Sequence, residues 1–405
     1  MLNPRALREE NFEDMKLIRT FHPVGHGAFY TERFYDDHER NVANVVFDCG
    51  CYERAKKGQQ RRDFEKEIGA VVDNEFPIQD DKISVDALFI SHFHEDHING
   101  ISKLLQNCHV KRIFMPKLTD GVFLDIFLYM IVVHHRAPLI ALDAIVRFVN
   151  LINDLKIEVD IDDEEITEDG DFHNVDISEV RVGSLILKPT IISINDIWKY
   201  IPFSTREKKS LLINELVKGV PELAPALTGQ VINFRQIADE ITANPNLLKK
   251  CKRVYNSVFG DKKHNRYSMT LFSGTCDIYT TCSQRCHQGV VDLPRYCTKN
   301  CLYMGDFEAD PNKSIKNTNC EQLLKFYDRY WAKIGLFQVP HHGSHDNTNV
   351  KLYSPPKLGI ISAGKDDVYG NPHVDVIDLL QQHNCVPLVV TENPCSVQKF
   401  TYKIK

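Results

Sequence analysis

Apolar positions in the first hundred residues come in short runs that end at glycine, proline or a charge. That pattern predicts strands and turns rather than long helices. Residues 21–30 read as a strand broken by Gly25-His26-Gly27, and residues 44–48 as a short apolar run ending at Asp48. Residues 53–74 are polar and helix-compatible. Residues 85–90 read as a buried strand that runs directly into Ser91-His92, and residues 112–115 as another, stopped by Pro116. From about 120 to 255 the texture changes to helical i, i+3, i+4 spacing, at 123–133, 141–155 and 211–217, which predicts a mainly helical insertion. An acidic run from Asp160 to Asp171 interrupts it and reads as a solvated loop, with a partner-binding loop as the alternative. Strand-and-loop texture then returns at 268–272, 301–304, 335–339 and 358–362. A helix over 374–380 and a closing strand over 387–391 complete the pattern.

Composition narrows the class. The chain has 405 residues, which fits one large enzyme domain carrying insertions. The 49 Lys and Arg against 55 Asp and Glu give a net charge of −6, so there is no global basic footprint of a dedicated nucleic-acid binder. A metal site could still supply local positive charge to a nucleic-acid substrate. No secretory signal is visible at the N-terminus, and the longest apolar tract, 126–133, is far short of the ~20 residues a membrane span needs. The expected location is the cytoplasm, with no membrane partner, and the twelve cysteines are expected to be thiols or metal ligands.

The strongest chemical signal is Ser91-His92-Phe93-His94-Glu95-Asp96-His97. In an extended segment His92 and His94 point the same way, and the turn that follows lets Asp96 and His97 face a second ion. Imidazole suits zinc and iron, and carboxylate suits harder ions as well. Further along come Gly305-Asp306, Pro340-His341-His342-Gly343-Ser344, and a loop from Ser362-Ala363-Gly364-Lys365 to Asn371-Pro372-His373.

These segments resemble the metallo-β-lactamase fold superfamily, whose signature is His-x-His-x-Asp-His. The last two are similar to the branch that includes the metallohydrolase domain of the bacterial competence DNA-uptake channel. The resemblance covers about residues 18–116 and 256–400. It implies an α/β fold, a four-layer αββα sandwich forming a single domain over 1–405, with the helical insertion at 120–255. It also implies two divalent ions, zinc or manganese, held by His92, His94, Asp96, His97, Asp306 and His341, with Asp306 bridging. Such a pair of ions lowers the pKa of water from about 15.7 toward ~7. Asp48 would orient the metal loop, and His342 would support its own turn. His373 or Lys365 would serve the leaving group, and Ser344 a phosphate oxygen. The sequence departs from the pattern at three points. No histidine between the first motif and Asp306 has a convincing ligand context among His109, His134, His135, His173, His264 and His287. Asn371 stands where the branch has histidine, and His26 where it commonly has glutamine.

A second constellation, 276–301, holds Cys276, Cys282, Cys286, Cys297 and Cys301 with His287. The two Cys-x3-Cys pairs place Cys282 with Cys286, and Cys297 with Cys301, on one helical face each. Four thiolates there could close on a structural zinc. Two disulfides, or unligated thiols, are the other readings.

The functional expectation is a metal-dependent hydrolase, a phosphodiesterase or nuclease acting on nucleic acid or a nucleotide. The insertions point to a regulatory protein partner, as in a restrained nuclease of bacterial defence. The alternatives are a hydrolase of a small ester, thioester or lactam, and a non-catalytic relative.

Overall fold

The computed structural model describes residues 15–52, 64–78, 81–161, 172–204, 211–229, 231–259, 268–275, 285–286, 298–309, 319–355, 357–365, 367 and 369–404. Among these residues the strands form two large sheets, of nine and eight strands, and a small two-stranded one. The larger sheet carries Met15–Phe21, Gly27–Tyr35 and Asn41–Cys51 as an antiparallel meander, then adds Ala87–Phe89 and Ile113–Pro116 in parallel. Its other flank is closed by Gln398–Ile404, antiparallel to Met15–Phe21. The second sheet is built around Thr270–Gly274, Cys301–Tyr303, Leu336–Gln338 and Leu358–Ser362.

Side chains alternate along each strand, so each sheet has two apolar faces to cover. Phe47, Phe89 and Tyr30 of the first sheet meet Tyr200, Phe272 and Tyr303 of the second in one core. Helices 319–326 and 374–382 lie over that core's far side. The outer face of the first sheet packs a second core with the helices Phe64–Glu75, Ile101–Asn107, Asp120–Val132 and Pro138–Ile152. The layering is therefore helix, sheet, sheet, helix, as expected.

The expected helical insertion needs correction. Helices do occupy Asp120–Val132, Pro138–Ile152, Leu211–Gly219, Phe234–Ala243 and Pro245–Phe259. Between them, however, Lys156–Val159 extends the first sheet, and Thr190–Ile194 and Trp198–Phe203 belong to the second. Residues 120–255 thus carry core strands of both sheets, flanked by two blocks of helix that pack in the same outer core. The strand at 386–390 is an edge of the second sheet, and the closing strand is Gln398–Ile404 instead.

Of the Cys-rich segment, Cys282 and Cys297 lie outside the described residues, as do Cys276 and His287. Cys286 is described only as backbone, in the short strand Arg285–Cys286 beside Thr401 and Phe400. Cys301 opens a central strand and is fully buried between the sheets. Burial pushes its thiol pKa up to about 12.

Candidate metal centre

The site forms where the loops at one end of both sheets meet, and each loop has a local reason for its shape. Asp48 is an extra residue in its strand: Phe29 pairs with Cys49 and Tyr30 with Phe47, leaving Asp48 in a bulge with φ of 52°. A bulge re-aims one side chain without ending the strand. Here the carboxylate turns to accept hydrogen bonds from the Ser91 amide and the Ser91 hydroxyl, each at 2.7 Å. It also meets His97 Nδ1 at 2.7 Å. Gly50 lets the same strand touch the metal loop: a Cβ there would lie 2.6 Å from the Asp96 carbonyl carbon and oxygen. Gly305 at φ of 52° makes the corresponding turn before Asp306, where a Cβ would strike Ser91 at 2.5 Å. Gln338 accepts from the Met304 and Gly305 amides and holds that turn.

Two groups of side chains converge on Asp306. His92, His94 and Asp306 form one cluster; Asp96, His97, Asp306 and His342 form the other. Asp306 Oδ1 lies 3.1 Å from His97 Nε2 and 3.4 Å from His342 Nε2, while Oδ2 lies 3.5 Å from His92 Nε2. Asp96 Oδ2 is 3.1 Å from His342 Nε2 and 3.6 Å from His97 Nε2. One carboxylate is therefore shared by both clusters, one oxygen to each side.

The donor set fits divalent ions. The Nε2 atoms of His92 and His97 are buried and make no hydrogen bond. Each ring is instead fixed through its other nitrogen. His92 Nδ1 meets Ser91 Oγ at 2.9 Å, His97 Nδ1 meets Asp48, and His342 Nδ1 donates to the Ser362 carbonyl at 2.8 Å. An anchored Nδ1 with a free Nε2 is how metal-binding imidazoles are usually held. Burial opposes charge on these groups, yet their mutual attraction prevails. Burial favours neutral Asp306, but the surrounding histidines, His341 first, hold its carboxyl well below the usual range. Burial likewise disfavours charged His97, and the carboxylates of Asp306, Asp96 and Asp48 outweigh it and raise its pKa well above the ordinary value. His342 is raised for the same reasons. A divalent ion entering this cluster must then displace protons. Uptake should strengthen as pH rises through neutrality. Zinc added to metal-free protein in weak buffer should acidify the solution, and pH-independent affinity would contradict the ligand set.

The tandem histidines are not placed as expected. His342, expected to support its turn, enters the cluster with Asp96 and His97. His341, expected there, lies with Nε2 3.7 Å from Asp306 Oδ2, the oxygen that faces His92. Both residues have left-handed backbones, φ 48° and 56°, and that turn carries the second ring inward. His109, His134, His135 and His173 join neither cluster; His264 and His287 lie outside the described residues.

Among the described contacts, none links His373 or Lys365 to the groups gathered at Asp306. His373 caps the helix Val374–Gln382 through the Asp375 amide and is paired with Asp375 at 3.4 Å. Lys365 is exposed, and its amide donates to Glu392. Ser344 donates its amide to the His341 carbonyl and so braces the turn. Alanine at His373 or Lys365 is expected to change turnover by less than about threefold, as surface substitutions usually do. A loss beyond tenfold in steady-state assays would restore either to the chemistry.

Sequence reasoning missed three contributors. Tyr129, from the helix Asp120–Val132, stacks on His94 with centroids 4.1 Å apart and planes 7° apart. Ser268 accepts from the Asp306 amide at 3.0 Å. His26, noted only as a departure, stacks against His342 with centroids 3.9 Å apart. The two glycines that flank His26 were the available signal, since they mark a turn where backbone must pass close by.

Residues 40–180 match the profile of the Metallo-beta-lactamase superfamily, and that span contains Asp48 and the whole His-x-His-x-Asp-His loop. That span of the chain is similar to the superfamily, and the helix, sheet, sheet, helix layering accords with it. The chain is 40% identical over 94 residues to ComE operon protein 3 of Bacillus subtilis (strain 168), a match covering 23% of this chain and 11% of that protein's length. Two solved structures also align. Unliganded yeast PDE1 does so at 11% identity over 96% of this chain and 99% of its own, with a TM-score of 0.36. A long form RNase Z from yeast does so at 11% identity over 88% of this chain and 37% of its own, with a TM-score of 0.27. The superfamily that residues 40–180 match is one of hydrolases. No described helix is long and apolar enough to cross a membrane.

Proposed function

We propose that the protein is a two-metal phosphodiesterase acting on a nucleotide or on the end of a nucleic-acid strand. The observation that carries this reading is the sharing of Asp306 between two His/Asp clusters. Zinc or manganese held there would acidify water and neutralise charge developing on a phosphoryl group. The chain's own part is to hold the imidazoles by their Nδ1 atoms, to keep Asp96 and Asp306 ionised, and to bring His341 to the His92 side of Asp306.

A cavity of about 520 Å³ opens beside His94, between the metal loop and the helices Asp120–Val132 and Pro138–Ile152. Phe93, Ile126, Met130, Ile145 and Phe148 give it apolar walls, and Arg136 and Arg147 add cations. Arg136 is also paired with Glu95. That volume suits one nucleoside-sized substituent. It is too small for a duplex, which favours a mononucleotide or a strand end. The apolar walls also favour a second reading, a small ester, thioester or lactam with a hydrophobic group.

The deciding assay loads the protein with zinc or manganese and offers an aryl phosphodiester, a dinucleotide, single-stranded DNA and RNA, an aryl carboxylic ester and a lactam. Phosphodiester cleavage with terminal products is expected. Exclusive turnover of the carboxylic ester or lactam would transfer the assignment to the second reading, and inactivity towards all of them would reject both. Ala144 lines the cavity. Tryptophan there should lower kcat/KM for a bulky substrate by tenfold or more, while a dimethyl-type phosphodiester stays within about threefold, since pocket contacts are worth ~1–3 kcal/mol per methylene-sized change.

A further inference from the structure

Three buried imidazoles at the centre share one arrangement: Nδ1 tied to a protein oxygen and Nε2 turned inward. A fourth does the same. His26 is 7% exposed, on the turn before Gly27–Tyr35. Its Nδ1 lies 3.1 Å from Asp367 Oδ2, and its Nε2 lies 3.6 Å from Asp96 Oδ2. That second distance equals the one from His97 Nε2 to the same Asp96 oxygen. The ring lies against His342 and is backed by Tyr369, with centroids 5.5 Å apart. Asp367 itself is anchored by the Tyr369 amide at 2.8 Å, and the neighbouring His26 draws its carboxyl below the usual range against the effect of burial.

A carboxylate that accepts from Nδ1–H fixes the tautomer in which Nε2 carries a lone pair. At His26 that lone pair points at the Asp96–His342 side of the second cluster. The backbone supports the approach. The Tyr52 amide donates to the His26 carbonyl at 2.6 Å, which ties the turn to the strand that bears Asp48.

We infer that His26, oriented by Asp367, is a further ligand of the second metal position, alongside Asp96, His97, Asp306 and His342. The inference rests on the two-metal reading above and extends it. The pair would also join two turns far apart in sequence, at His26 and at Asp367, to the ion.

The test is metal binding, not turnover. Metal-free wild-type protein and the variants His26→Ala, His26→Gln and Asp367→Asn are titrated with cobalt(II), following heat and the visible d–d absorption. Wild-type protein is expected to take up two ions in distinguishable steps. In His26→Ala one step should keep its affinity, and the other should weaken by more than about 100-fold with an altered absorption band, beyond the ~10–100-fold that partners orienting a ligand carry. Asp367→Asn leaves the imidazole in place and should weaken the same step to a smaller degree, which guards against a folding defect in His26→Ala. Two wild-type steps together with unchanged affinity and spectrum in both His26 variants would overturn the ligand role alone. A wild-type protein that binds fewer than two ions would overturn the two-metal reading, and this inference with it.

Discussion

Asp306→Asn is expected to lower hydrolysis by about 10³-fold or more, the scale of losing a principal electrostatic group at a reacting centre. Metal content should fall from two ions to at most one. The reasoning is geometric. Oδ1 serves His97 and His342, and Oδ2 serves His92 and His341. Asparagine keeps the shape but supplies one oxygen, no charge, and an amide that repels a cation. The fold should survive, because the Asp306 amide bond to Ser268 and the Gln338 contacts to the preceding turn involve backbone groups. Metal analysis and steady-state kinetics on the folded variant check the result. Two bound ions with activity within tenfold of wild type would show that the shared carboxylate is not the centre of the chemistry.

Glu32→Ala should produce the largest loss of stability. Glu32 lies between the sheets and is almost fully buried. It accepts from Arg19 at 2.6 Å, Tyr200 at 2.6 Å, Tyr303 at 2.7 Å and Ser273 at 2.7 Å. Arg19 is wholly buried; burial opposes its charge, but Glu32 beside it keeps the guanidinium firmly protonated. Removing the carboxylate takes the counter-ion from that charge and the acceptor from the Tyr200 and Tyr303 hydroxyls. Breaking a buried pair from one side costs about 3–5 kcal/mol. The urea midpoint should fall accordingly, with Glu32→Gln falling less because it retains an acceptor. A midpoint within about 1 kcal/mol of wild type in the alanine variant would mean that water replaces the carboxylate, contrary to the dry packing around it.

The layered fold and most of the centre were legible in the sequence because both rest on local signals. An apolar strand running into His92-Phe93-His94 needs only period two to place two rings on one side. Gly305-Asp306 and the Pro340 turn announce themselves by punctuation. What stayed illegible depends on backbone handedness and on distant partners. Spacing cannot choose between His341 and His342, since adjacent residues exchange faces once both adopt positive φ. His26 could not be placed without Asp367, more than three hundred residues later. The strands within 156–203 escaped because alternation over Lys156–Val159 is only four residues long and follows a fifteen-residue helix. His373 looked like a proton donor by position, but the start of its own helix claims the ring.

The pairing of Met15–Phe21 with Gln398–Ile404 bears on the order in which the protein is made. Leu17 finds its neighbour Tyr402 only after the long stretch of chain between them exists. Contacts between such distant positions carry a large loop-closure cost and slow folding. A nascent chain on the ribosome holds the edge of Met15–Phe21 open until Gln398–Ile404 emerges, with Leu17 and Phe21 denied their final cover. Open edges of this kind recruit foreign strands. The metal loop, by contrast, can meet Asp48 within the first hundred residues, whereas Asp306 and His342 arrive late. The growing chain therefore holds four of the six clustered side chains, His92, His94, Asp96 and His97, well before Asp306 and His342 exist.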